Sequence, residues 1–164
     1  MAGAIGGNLI CGKITNAKER ENCYYTVGTK NNDENACSQM IDAYRKNSCY
    51  ATVAAANNDY MLCQSINDKP RQEQCLSSIA GQIKRTDPCA YIDNAEVNYG
   101  CIYSVANLNS DASICEKLEK TGTRDKCIHN VAVTAHNRDV CRNLKDAAEK
   151  NSCLDYTSQS EIQP

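Results

Sequence analysis

The sequence predicts an all-α solenoid of six 26-residue helix-turn-helix repeats, each closed by one disulfide. Three observations carry this. The twelve cysteines, from Cys11 to Cys153, are separated by gaps that alternate 12 and 14 without one insertion. A fixed period of this size marks a stacked array of supersecondary units. An aliphatic residue and then a helix-starting residue recur in register with the cysteines. The chain is also light in bulk: nine Tyr, no Trp and no Phe. Short helices so poor in large side chains need another source of stability.

The repeats are 7–32, 33–58, 59–84, 85–110, 111–136 and 137–162, together a single solenoid domain. Residues 1–6 read as a leader or cloning remnant and 163–164 as a tail. The start Met1-Ala-Gly-Ala-Ile-Gly-Gly lacks the basic region of a signal peptide, which suggests that a leader or anchor has been removed.

Each repeat opens with a short helix, such as Asp59 to Ile66 with Asp59 as N-cap. In the fourth repeat Asp87-Pro88 reads as the cap and first turn. The short helix ends at an aliphatic: Ile14, Met40, Ile66, Ile92, Leu118 or Leu144. Two residues later comes Asn16, Asp42, Asp68, Asn94, Lys120 or Asp146. Five of these can cap the second helix; Lys120 cannot, and Thr121 is expected to take its place.

The second helix is longer, for example Asp42 to Ala56, and ends in a cluster such as Asn57-Asn58-Asp59. Residues 43, 50, 53, 54 and 57 fall on one face, and four of the five are small or apolar. Val27, Val53, Ile79, Val105 and Val131 mark that face, each followed by Gly or Ala. Tyr24 and Tyr50 align with Leu76, Ile102, Ile128 and Leu154 and read as core fillers.

Geometry selects the disulfide pairing. Cys37 lies about five residues before the hairpin turn and Cys49 about seven after it, at similar heights given about 1.5 Å per residue. Facing Cα atoms of packed helices then fall within the disulfide window. Pairing across the gaps of 12 uses every cysteine, whereas pairing across 14 strands Cys11 and Cys153. The predicted bridges are Cys11–Cys23, Cys37–Cys49, Cys63–Cys75, Cys89–Cys101, Cys115–Cys127 and Cys141–Cys153. Each closes a loop for which chain entropy gives about 3 kcal/mol.

Disulfides on this scale imply an extracytoplasmic setting: periplasm, cell surface or secreted. The absence of any Asn-x-Ser/Thr sequon among 18 Asn favours a prokaryotic source. No apolar run approaches the length of a membrane helix, so membrane attachment is expected only through an upstream anchor. The net charge of −2 and pI of 5.7 argue against nucleic acid as a partner. Repeat charges of +2, −1, 0, −2, 0 and −1 leave no charged block.

Paired antiparallel helices repeated head to tail resemble the tetratricopeptide and Sel1-like solenoids. In strategy the chain is most similar to the cysteine-rich Sel1-like secreted proteins, with one disulfide in each hairpin. The resemblance is one of architecture. Those families repeat at about 34–36 residues, and the tetratricopeptide signature is absent here. It implies a right-handed α-solenoid that binds a protein or peptide ligand, or serves as a scaffold, through an extended concave surface.

No nucleophile motif, phosphate loop or paired acid–base constellation is present, so the chain reads as non-enzymatic, with no cofactor and no metal site. His129 and His136 read as solvated surface residues. Two other classes stay open. One is a structural subunit of a surface filament. The other is a Cu(I) or Zn thiolate store, disfavoured because each hairpin offers two sulfurs and no Cys-x-x-Cys occurs.

The candidate partner-binding residues are Tyr25, Tyr44, Tyr60, Tyr91 and Tyr103, which align with polar or small residues in other repeats. If the short helix lines the concave side, its variable positions form the ligand face: Glu34, Tyr60, Thr86, Ala112 and Arg138, with Gln39, Ser65, Tyr91, Lys117 and Asn143. Leu9 and Ile10 are apolar with no preceding repeat to cover them, which suggests self-association through the N-terminal end. Thr157 and Ser158 replace the Val/Ile and Ala/Gly of other repeats and read as a polar capping face.

Overall fold

A computed structural model describes residues 9–159, and every described element is a helix or a helical turn. The long helices are Ala17–Asn31, Ala43–Asn57, Lys69–Ile83, Ala95–Leu108, Thr121–Thr134 and Ala147–Gln159. The short elements are a single turn or little more: residues 9–11, Glu34–Ser38, Tyr60–Ser65, Pro88–Tyr91, Ala112–Lys117 and Arg138–Cys141. The chain forms two units, Met1–Gln82 and Ile83–Pro164, each carrying about three hairpins. The expected α-solenoid class is what the described residues form. The leader and tail expected at residues 1–6 and 163–164 lie outside them.

All six bridges join cysteines 12 apart, with Cα–Cα distances of 5.5–5.8 Å. No thiol is free, so no thiolate is left for a Cu(I) or Zn store. Each bridge fixes a short element that could not persist alone. Three of these elements are 3-10 helices, while Glu34–Ser38 and Arg138–Cys141, set at the same place in their repeats, are α-helical. In every repeat the aliphatic residue's N–H donates to the carbonyl of the cysteine three before it, at 3.0–3.3 Å. That contact closes the turn and points the aliphatic inward: Met40, Ile66, Ile92, Leu118 and Leu144 are all buried.

A second clamp comes from the long helix. At its fourth residue each repeat carries a side chain that can donate: Arg20, Lys46, Gln72, Asn98, Arg124 or Lys150. Five of them reach carbonyls left open where the short element ends, Gln72 donating to Ile66 O at 3.4 Å and Gln64 O at 3.5 Å. Arg20 donates to Ile14 O, Lys46 to Ser38 O, Asn98 to Cys89 O and Lys150 to Arg142 O, each at 2.8 Å. Arg124 instead faces Glu116 at 3.6 Å.

The caps follow the sequence with two exceptions. Asn16, Asp42, Asp68, Asn94 and Asp146 each accept a backbone N–H in the first turn. Lys120 holds the N-cap position and makes no side-chain cap bond. Thr121 does not replace it: the disulfide and Leu118 fix the register, so Thr121 becomes the first helical residue. Asp87 likewise holds the N-cap position before Pro88 and makes no side-chain cap bond. It aligns with Met61 and Ser113, two residues past the caps of those repeats, and its carboxylate accepts from Arg85 Nε at 2.9 Å. The residue aligned with the capping Asp33, Asp59, Asp111 and Asn137 is Arg85.

The repeats join through a left-handed residue. Asn32, Asn58, Lys84, Ser110 and His136 have φ of 51–54°, at the twenty-sixth position of five repeats. The next residue's N–H then reaches back to the carbonyl of Gly28, Ala54, Ala106 or Ala132 at 2.8–2.9 Å, a Schellman-type closure. One residue thus ends one repeat by its N–H and starts the next by its side chain.

Each unit's core is built of small residues and sulfur. Val53, Ile79, Val105 and Val131, with Ala54, Ala80, Ala106 and Ala132, are almost wholly buried, as are Tyr24 and Tyr50. Thr157 corrects the expected polar capping face. It is 1% exposed, fills the valine site, and satisfies its hydroxyl by donating to Cys153 O at 2.8 Å. Ser158 is half-buried.

Candidate binding surface

The long helices also carry the contact that crosses from one repeat to the next. At the fifth residue of each stand Glu21, Asn47, Glu73, Tyr99, Asp125 and Asn151. Glu21 accepts the N–H of Ile41 at 2.8 Å and of Asp42 at 3.4 Å. Asn47 Oδ1 accepts from Asn67 N at 3.2 Å, and Asp125 Oδ2 from Asp146 N at 2.9 Å. In each case the oxygen lands on the hairpin loop of the following repeat. Sequence reasoning missed this rule. Its signal, an acid or amide at one position in five of six repeats, was present.

Tyr99 is the departure from that rule. Burial raises its phenol pKa above the ordinary tyrosine value, partly offset by a hydrogen bond donated by Asn130. Its ring lies 6.2 Å from the Tyr103 ring, parallel to within 6°. Among the described residues nothing accepts the N–H of Glu119 or Lys120, the loop that an acid here would hold.

A groove of about 730 Å³ lies at that junction, between the fourth and fifth repeats. Tyr99 and Ile102 from one side and Leu118, Lys120 and Thr123 from the other line it, with Asp87 at its edge. The Arg85 guanidinium beside Asp87 holds that carboxyl below its usual range. The volume falls within the range of ligand sites. Two departures from the repeat pattern line it, Tyr99 for an acid or amide and Lys120 for a capping residue, and a third, Arg85 for an Asp or Asn, is bonded to its lining Asp87.

The tyrosines singled out from the sequence divide. Tyr44 is 65% and Tyr91 42% exposed, while Tyr25, Tyr60 and Tyr103 are half-buried. Two of them carry arginines from the following repeat: Arg45 lies 5.0 Å from the Tyr25 ring centre and Arg71 4.0 Å from that of Tyr44. Arg45 also donates to Asn22 Oδ1 at 2.7 Å. Arg71 borders a smaller groove of about 390 Å³ floored by Ala51, Ala55 and Ser78. Leu9 and Ile10 are 68% and 65% exposed.

His129 is not the solvated residue the sequence suggested. Its side chain is 14% exposed, because the sixth repeat's helix covers it. Nδ1 lies 2.5 Å from Glu149 Oε2 and the ring 6.2 Å from that of Tyr156. His136 is exposed at its left-handed turn. Among the described residues no group of three metal-ligating side chains is present, and no helix is long and apolar enough to cross a membrane.

No family model, no curated protein and no solved structure matches this chain.

Proposed function

We propose that the chain is a non-enzymatic extracytoplasmic module that binds a protein or peptide segment in the groove between its fourth and fifth repeats. Six intramolecular disulfides fit an oxidising compartment. The observation that carries the reading is the clustering at this groove of Tyr99, Lys120 and the Arg85–Asp87 pair. Repetition elsewhere follows from the needs of stacking. Departures gathered round one cavity serve something other than stacking. The groove offers apolar Ile92, Ile102 and Leu118, the Tyr99 ring at one wall and the loop N–H groups of Glu119 and Lys120 at the other. That combination suits an extended segment with alternating apolar and hydrogen-bonding groups.

The test is selection of displayed peptides on the oxidised protein, followed by Tyr99→Glu. This substitution restores the acceptor that holds the loop in other repeats. Selected peptides are expected to lose at least tenfold in affinity while the melting temperature does not fall. Binders that retain full affinity for Tyr99→Glu would place recognition elsewhere and overturn the assignment.

A further inference from the structure

The contact between successive repeats has three parts, the first two seen within each unit and the third in the first unit. An apolar residue at the fourth position of the following repeat is covered: Ala36 is 0% and Leu62 8% exposed, and Ile114 and Val140 are half-buried. An oxygen from the preceding long helix receives a loop N–H, as Glu21, Asn47 and Asp125 do. A small residue of the preceding helix faces the following disulfide: a Cβ built on Gly28 would lie 3.0 Å from Cys37 Sγ.

Two halves of this contact are unfilled among the described residues. On the first repeat, Ile10 holds the fourth position at 65% exposure beside Leu9 at 68%, and the N–H groups of Thr15 and Asn16 meet no acceptor. On the sixth repeat, exposed Asn151 holds the place from which Asn47 accepts. Half-buried Ser158 holds the small-residue place, with Tyr156 60% exposed beside it. One face has apolar side chains and donors. The other has an amide acceptor and a small residue where a disulfide packs in other repeats.

We infer that the occupant of each face is a second copy of this chain, the Leu9–Ile10 face of one molecule seated on the Asn151–Ser158 face of the next. The association continues the repeat-to-repeat contact between molecules. It is heterologous, so it grows head to tail rather than stopping at a two-fold dimer. The inference stands apart from the peptide groove, which uses neither face.

Light scattering across a concentration series tests it. The oxidised protein is expected to rise beyond twice the chain mass as concentration rises. Ile10→Glu and Ser158→Arg, each checked for helicity and six intact bridges, are expected to stay monomeric alone. Mixed, they leave one free head and one free tail, and should form a one-to-one dimer. Leu9→Lys provides a second head variant should Ile10→Glu fold poorly. Wild-type protein that stays monomeric throughout, growth that stops at a dimer unaffected by Ser158→Arg, or blocked variants that do not pair on mixing would each overturn the inference.

Discussion

Gly28 lies so close to Cys49 that a methyl group on its Cα would stand 2.5 Å from the Cys49 sulfur. No real side-chain carbon sits so near without something moving. The same position is alanine in the next four repeats, and there the methyl is accommodated and fully buried. The first long helix therefore approaches the second repeat's disulfide more closely than a side chain allows, and a covalent sulfur bridge cannot rotate away.

Gly28→Ala tests this contact because two effects oppose one another. Alanine gains up to about 1 kcal/mol of helix propensity, while overpacking a filled site costs about 1–3 kcal/mol. The clash is expected to win, lowering the melting temperature by several degrees. A rise would mean that the first repeat can shift outward at no cost.

The left-handed junctions predict the opposite sign. Ser110 and His136 hold φ of 52° and 51°, a conformation that costs an ordinary side chain about 1–2 kcal/mol. Ser110→Gly and His136→Gly are each expected to raise thermal stability by about 0.5–1 kcal/mol, net of the unfolded-state entropy of glycine. Asn58→Ala, where the native residue already tolerates this region, should lower it. Melting curves of the three variants decide the matter.

The uncapped fifth repeat offers a repair. Lys120→Asp supplies the oxygen that its helix lacks, and a restored N-cap contributes about 1 kcal/mol. Chemical denaturation should show the gain. The substitution also lies in the groove, so reduced peptide affinity is expected alongside it.

Alkaline pH should weaken the fold through two phenols. Burial raises the pKa of Tyr50, helped by the charge of Glu34, and burial raises that of Tyr99. A raised folded-state value means that the unfolded chain loses these protons first. Their contribution is complete below the ordinary tyrosine pKa of 10.0 and is lost as pH climbs through the folded-state values. Phenolate absorbance should show a late-titrating group that vanishes in Tyr50→Phe, and a second that vanishes in Tyr99→Phe.

The cysteine spacing was legible because hairpin geometry leaves one pairing that uses every sulfur, and the caps because Asp and Asn act through their own nearest backbone. What escaped notice lies across distance. The acceptor role of Glu21 depends on Ile41, twenty residues on, and no local pattern shows where that carboxylate lands. Thr157 was misread because a hydroxyl that bonds its own helix backbone can occupy an apolar site. His129 was misread because its cover, Glu149 and Tyr156, belongs to the next repeat. The groove at Tyr99 is defined by a missing contact, which no local sequence pattern carries.

The whole account rests on sulfur bridges standing in for core bulk. Its most direct test is far-UV circular dichroism during a thermal melt, before and after phosphine reduction, with intact mass confirming six bridges broken. The expected result is a cooperative helical protein when oxidised and a largely unfolded chain when reduced. A reduced protein that keeps its helicity and melts cooperatively at a similar temperature would contradict it.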